Sequence, residues 1–440
     1  MTSDRPPAAF CGPAEHRPLA GPAWTEAAAR SAIAEITSDA VDAYRGPQKL
    51  WPNHPADLDD DPEDRAFRCI YLGAAGMAWG LHRLARAGLT DGLPAIDELV
   101  ATLPGAYRAD PELTALETGT PPPPPSLLFG ESGILLACEA IATTDDPAAR
   151  DALAATVAAN ARNPTRELCW GSPGTMIAAE AMWRRTADPR WRELWRDSAR
   201  WLIDEWEDPV WVQDMYGERR RYVGAGHGFA SNASVLLSGL DLLESHDNHE
   251  NHENHHHDDH GPRSDHGLVD RIIATTTALA QRDGALAQWP GLADIEIERR
   301  PVQWCHGAPG IVTALASLPP DEPIDELLTA GGELTWRAGP LRKGVGLCHG
   351  TSGNAYAFLA LHHRTGDERW LERARAFAMD AAADARTWRT RHGQGRFTLF
   401  TGDLGVALLL ADCLADSPDG RWGFPFLEHP FDQAQDRAQA

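Results

Sequence analysis

The chain has 440 residues, 43% of them apolar, which is enough for a large buried core, and it carries a formal charge of −24. A chain this acidic repels phosphate backbones, which argues against a nucleic-acid partner. No apolar run approaches the roughly 18 residues that span a bilayer, which argues against a membrane partner.

Residues 1–23 are rich in Pro and Ala and predict an irregular N-terminal segment, with a single domain expected over 24–430 and a short tail at 431–440. This segment has no apolar stretch of the kind a secretory signal needs, so the expected location is cytoplasmic. The seven cysteines, Cys11, Cys69, Cys138, Cys169, Cys305, Cys348 and Cys413, are odd in number and scattered. In a reducing compartment that pattern points to metal or catalytic use rather than to disulfides.

From residue 71 onward one unit recurs: a short apolar stretch, two glycines three apart, then more apolar residues. It appears as YLGAAGMAW (71–79), LLFGESGIL (127–135), LCWGSPGTM (168–176), VGAGHGFAS (223–231), WCHGAPGIV (304–312), LCHGTSGNA (347–355) and LFTGDLGVA (399–407). The fourth copy has Ser231 in place of its second glycine, a change a turn accommodates. Successive first glycines, from Gly73 to Gly402, lie 57, 41, 57, 79, 43 and 52 residues apart. Residues following each unit, such as MIAAEAMW (176–183) and AYAFLALHH (355–363), are apolar nearly all round, as buried helices are.

Between these buried helices amphipathic ones are expected. TADPRWRELW (186–195) and TGDERWLERA (365–374) each begin 12 residues after the second glycine of their unit, and Trp191, Leu194, Trp195 and Leu202 share a helical face. No run shows the period-two alternation of a strand. Two segments stand outside the core pattern. PPPPP (121–125) predicts a stiff polyproline connection. Residues 244–266 hold eight His, seven acidic residues and one Arg, predicting a disordered insertion that explains the 79-residue gap. The all-α chain of paired helices can stack into an open solenoid or close into a ring, and both remain open at this point.

Two of the units carry the triplet Cys-His-Gly, at 305–307 and 348–350. Cys305 and Cys348 with one histidine make a Cys₂His donor set, which suits zinc with a fourth position left for water or substrate. The triplets offer His306 and His349 equally as the third ligand. His227, in the glycine-rich turn of the fourth unit, is a candidate general acid or base. Lys343 and Arg391 are candidate anchors for a substrate carboxylate.

At WCHGAPG, GLCHGTSGNAYAF, IYLGAAG, YVGAGHG and FTLFTGDLG the chain resembles the lanthionine synthetase C-like (LanC-like) proteins, over a span from about Ile70 to FPFLE at 424–428. The wording is closer to the eukaryotic-type, glutathione-binding members than to the lantibiotic cyclases. The resemblance implies an α/α toroid, a double ring of seven inner and seven outer helices. It implies one zinc ion held by Cys305, Cys348 and His349, with His306 off the metal, His227 as the acid/base, and Lys343 and Arg391 holding glutathione or an equivalent small-molecule thiol.

The implied reaction is zinc-dependent addition of that thiol to dehydroalanine or dehydrobutyrine residues in a protein or peptide, giving a thioether. The alternatives are a lanthipeptide cyclase and a non-catalytic zinc- or thiol-binding sensor or scaffold. In the cyclases an aspartate stands four residues before the second unit's glycine, where this chain has Ser126, and that departure favours the eukaryotic-type reading.

Overall fold

The computed structural model describes residues 6, 10–12, 14–57, 66–112, 125–243, 265–295, 301–415, 423–428 and 430–431. The prolines at 121–124, the His-rich segment 244–264 and the tail 432–440 lie outside them. In chain order the first helices are α1 (Glu26–Asp42), α2 (Ala74–Arg86), α3 (Ile96–Ala109), α4 (Glu131–Ile141), α5 (Pro147–Asn160), α6 (Ser172–Thr186) and α7 (Pro189–Asp204). Then follow α8 (Phe229–Ser238), the short α9 (Leu240–Leu243), α10 (Asp265–Leu279), α11 (Ala308–Leu315), α12 (Glu322–Ala338), α13 (Thr351–Thr365), α14 (Glu368–His392) and α15 (Asp403–Leu414).

Seven helices, α2, α4, α6, α8, α11, α13 and α15, begin directly after the first glycine of a repeated unit. A glycine offers no capping side chain, so the loop before each helix supplies the acceptors. Ala74 N–H donates to Phe67 O at 2.9 Å, Phe229 N–H to Tyr222 O at 3.0 Å, Thr351 N–H to Gly344 O at 3.1 Å and Asp403 N–H to Arg396 O at 2.9 Å. The loop therefore curls back over the helix start, and the second glycine is where the two backbones meet. A Cβ on Gly353 would lie 1.7 Å from Leu347 O, and one on Gly310 would lie 1.9 Å from Trp304 O. In the fourth unit Ser231 is buried, and its hydroxyl donates to Gly228 O at 3.0 Å.

These seven helices form a closed inner ring. α2 packs on α4, α4 on α6, α6 on α8, α8 on α11, α11 on α13, α13 on α15, and α15 returns to α2. That last contact excludes the open solenoid. The outer layer is α1, α3, α5, α7, α10, α12 and α14, so the architecture is an all-α toroid of seven inner and seven outer helices. Several outer helices start from a side-chain cap: Thr25, Asp146, Asp188, Asp321 and Asp367 each accept a backbone N–H of the first turn, a device worth about 1 kcal/mol. Asp188 and Asp367 belong to the two sequence echoes and cap α7 and α14 in the same way. Trp191, Trp195 and Leu202 are fully buried on the inward face of α7, with Leu194 half-buried beside them.

Among the described residues there are also two hairpins that the sequence pattern does not announce. β1 (Gln213–Met215) pairs antiparallel with β2 (Glu218–Arg220), and β3 (Gln281–Asp283) with β4 (Leu286–Gln288). Three residues per strand give no readable alternation. The β1–β2 turn has positive φ at both Tyr216 and Gly217, the backbone of a tight two-residue hairpin loop. The described residues of the N-terminal segment are irregular yet pinned to the ring. Gln288 donates to Phe10 O at 3.1 Å, Arg342 N–H to Glu15 O at 2.9 Å, and the Ala20 and Gly21 N–H groups to Asp380 Oδ1 at 2.9 Å. No helix among the described residues is long and apolar enough to cross a membrane.

Candidate metal and acid–base centre

The loops entering the inner helices meet at one mouth of the ring, and backbone hydrogen bonds hold them in register. Gly226 N–H donates to Cys305 O (3.1 Å), Cys305 N–H to Cys348 O (3.1 Å), Cys348 N–H to Phe400 O (2.9 Å), Phe400 N–H to Tyr71 O (3.3 Å) and Tyr71 N–H to Leu128 O (3.0 Å). Each of these residues stands two positions before the N-cap glycine of its helix. A shared offset in sequence thus becomes a shared height around the mouth. The residues one position before the glycine include His227, His306 and His349, in three consecutive units.

This register brings Cys305, Cys348 and His349 together. Their ligand atoms all lie within 4.8 Å of one another, with both cysteines buried and His349 half-buried. The Cys305 thiol donates to the Cys348 sulfur. That bond holds Cys348 well below the ordinary thiol range against the cost of burial, with further help from His349 and from the Tyr71 hydroxyl. Cys305, as the donor, is pushed up. Its sulfur also accepts a hydrogen bond from buried Gln303 Nε2 at 3.1 Å. Two sulfurs and one imidazole nitrogen converging in this way fit a divalent ion of intermediate softness. His306 is pushed down to about 4, first by burial and then by the neighbouring His227.

His227 sits beside this cluster, its ring centroid 5.9 Å from that of His306, 6.0 Å from Tyr222 and 6.1 Å from Tyr216 on the β1–β2 turn. Its Nδ1 lies 2.8 Å from Oε2 of Glu167, a fully buried carboxylate. Glu167 also accepts the backbone N–H of Cys169 at 2.9 Å and that of Trp170, so its orientation is fixed on both oxygens. A carboxylate only accepts, so the hydrogen in the pair belongs to Nδ1 and the neutral ring keeps Nε2 as its acceptor. Glu167 carries no motif of its own. Its signal is its offset, four residues before Gly171, which matches the offset of Ser126 from Gly130. Ser126 itself is buried and accepts from Phe129 N–H at 3.3 Å, and the carboxylate at that offset comes from the third unit.

Lys343 is exposed and lies close enough for its charge to act on both Cys305 and His306. Among the described residues it makes no ion pair. Arg391 is not brought to the cluster. It is exposed in the last turn of α14, 5.8 Å over the Trp388 ring, and no hydrogen bond or ion pair among the described residues joins it to the cysteines. The arginine beside the Lys343 loop is Arg396. Its Nη1 would lie 3.5 Å from a Cβ on Gly344, and its Nε pairs with Asp57 Oδ2 at 2.8 Å.

Known proteins resemble this chain in sequence and in fold. The family described as Lanthionine synthetase C-like protein matches residues 69–428. Over 130 residues the chain is 39% identical to glutathione S-transferase LANCL1 of Danio rerio, covering 29% of this chain and 31% of that one. Over 124 residues it is 38% identical to LanC-like protein GCL1 of Arabidopsis thaliana, covering 26% and 28%. The matched stretch thus spans under a third of each of these relatives. The solved structure of nisin cyclase aligns with a TM-score of 0.52 at 15% identity, over 80% of this chain and 94% of that one, a likeness of fold.

Proposed function

The chain belongs to the lanthionine synthetase C-like family, and from that premise we propose that it adds a low-molecular-weight thiol to dehydroalanine or dehydrobutyrine residues of a protein or peptide. The observation that carries this reading is the convergence of Cys305, Cys348 and His349 within 4.8 Å, next to a histidine whose Nδ1 is held by a buried carboxylate. The name of the Danio rerio relative, a glutathione S-transferase, supports glutathione as the thiol.

Cys305, Cys348 and His349 would hold zinc. When bound, zinc supplies the Lewis acidity that lets a substrate thiol lose its proton near neutral pH. His227 Nε2 takes that proton, and Glu167 stabilises the resulting imidazolium through Nδ1–H. The thiolate sulfur bonds to the β-carbon of the dehydroamino acid, and the π pair moves onto the adjoining carbonyl as an enolate. His227 returns the proton to the α-carbon. The S–H bond and the Cα=Cβ π bond are broken, S–Cβ and Cα–H bonds are formed, and no further reactant is consumed. Lys343, exposed and free of ion pairs among the described residues, takes a carboxylate of the thiol. Arg391 is assigned to the same carboxylate through the family resemblance alone.

The test is mass spectrometry of a dehydroalanine-containing peptide incubated with zinc-loaded protein and a panel of small thiols, glutathione included. The expected product is the peptide plus one thiol, absent with Cys348→Ala. No adduct with any thiol at full zinc occupancy would overturn the reading and leave a peptide's own cysteine as the nucleophile to try next.

A further inference from the structure

Three of the seven cysteines, Cys169, Cys305 and Cys348, stand at one register, two residues before the N-cap glycine of an inner helix. Cys305 and Cys348 belong to the cluster described above. Cys169 has a donor set of its own. Glu167, Cys169 and His227 each present a ligand atom, and these atoms all lie within 4.8 Å of one another. Glu167 and Cys169 are buried, and His227 is half-buried. The two sets come from neighbouring sectors of the same mouth. One is built by the fifth and sixth units and the other by the third and fourth. We propose that Glu167, Cys169 and His227 form a second metal site, weaker than the first, for zinc or a similar divalent transition ion.

The donor chemistry suits such an ion: one thiolate, one imidazole and one carboxylate, with a position left for water. Bonds of about 2.0–2.3 Å place tetrahedral donors roughly 3.5 Å apart. The Glu167–His227 contact at 2.8 Å must therefore open by a fraction of an ångström as Cys169 draws in. Three features keep this site weaker. It has one sulfur instead of two. The Cys169 thiol, which donates to Gly226 O at 3.3 Å, must lose its proton. Both oxygens of Glu167 already accept backbone N–H groups.

Occupation changes what His227 can do. Nδ1 is the nitrogen that faces Glu167, and an ion bound there displaces the hydrogen shared by the pair. The neutral ring's single hydrogen moves to Nε2, which loses its capacity to accept a proton. Excess metal ion therefore switches off thiol addition. This consequence rests on the acid/base reading of His227; the metal site itself does not.

The experiment takes the full chain, loaded with one equivalent of zinc, and titrates it with Co²⁺. Thiolate-to-cobalt charge-transfer absorption in the near ultraviolet reports only cysteine-bound cobalt, and residues 244–266 contain no cysteine, so the His-rich segment is silent. Zinc released during the titration is measured in parallel with a chromogenic chelator. The expected result is a new thiolate–cobalt band with no zinc released, abolished in Cys169→Ala and also in His227→Ala. No such band in the wild-type chain, or a band unchanged in Cys169→Ala, overturns the site. In the activity arm, excess Zn²⁺ should cut wild-type thiol addition at least tenfold and leave Cys169→Ala within twofold of its own uninhibited rate. A chain with the band but no thiol addition under any condition would retain the second site and refute the proposed reaction.

Discussion

Replacing Glu167 by Gln isolates what the buried carboxylate contributes. Glu167 has two oxygens serving three donors: the N–H groups of Cys169 and Trp170, and Nδ1–H of His227 at 2.8 Å. Glutamine has a single oxygen and brings an NH₂ group of its own. Whichever way the amide turns, at least one former donor faces another donor. If the NH₂ faces His227, the ring must present Nδ1 as acceptor and carry its hydrogen on Nε2. If it faces the loop, the imidazolium loses its charged partner. A hydrogen bond to a charged group is worth about 1.5–3 kcal/mol, and each 1.36 kcal/mol is about tenfold in rate. The turnover number should therefore fall roughly 10- to 150-fold, while the KM for the thiol and the zinc content stay within twofold of wild type. Initial rates of adduct formation, with zinc measured by elemental analysis, check this. A rate within twofold of wild type would refute the dyad, and a loss that tracks zinc release would assign Glu167 to architecture instead.

Gln303→Leu removes the Nε2 donor from the Cys305 sulfur, 3.1 Å away, and should weaken zinc binding about 10- to 100-fold in chelator competition; unchanged affinity would leave that contact without a role. Gly353→Ala places a Cβ 1.7 Å from Leu347 O. Backbone faces backbone there, so the helix start must shift, and a loss of at least about 2 kcal/mol is expected in urea unfolding. Burial pushes the Glu112 carboxyl up from 4.5 to about 7. The folded chain then binds more protons than the unfolded chain between those values, so stability falls as pH rises from 4.5 to 7. Glu112→Gln should flatten that slope by an amount on the order of 3 kcal/mol, read from urea midpoints across the range.

The glycine pairs made the inner helices legible because each unit solves one local problem: a loop that folds back over a helix start and admits no Cβ at the point of contact. That constraint is short in sequence and repeats seven times, so it survives in the residues. Ring closure is different in kind. It depends on α15 meeting α2 across more than three hundred residues, and no local pattern distinguishes a closing turn angle from an open one. The metal cluster falls between these cases. Its two cysteines were visible because Cys-His-Gly occurs twice, and a common offset from a repeated glycine becomes a common height once the loops are stitched in register. The same rule applied to all seven units also reaches Cys169, and at an offset of four it reaches Glu167. Neither stands in a Cys-His-Gly triplet, so only the register finds them. The arginines mark the limit of the rule. Arg391 and Arg396 are five residues apart on either side of the end of α14, and which of them approaches Lys343 is decided by how the chain leaves that helix at Gly393, in a left-handed conformation. A register counted from the glycine of the seventh unit, Gly402, places Arg396 six residues before it, the position that Gly344, next to Lys343, holds before Gly350. Offsets from the repeat thus order the mouth of this toroid more reliably than distance along the chain from a recognised motif.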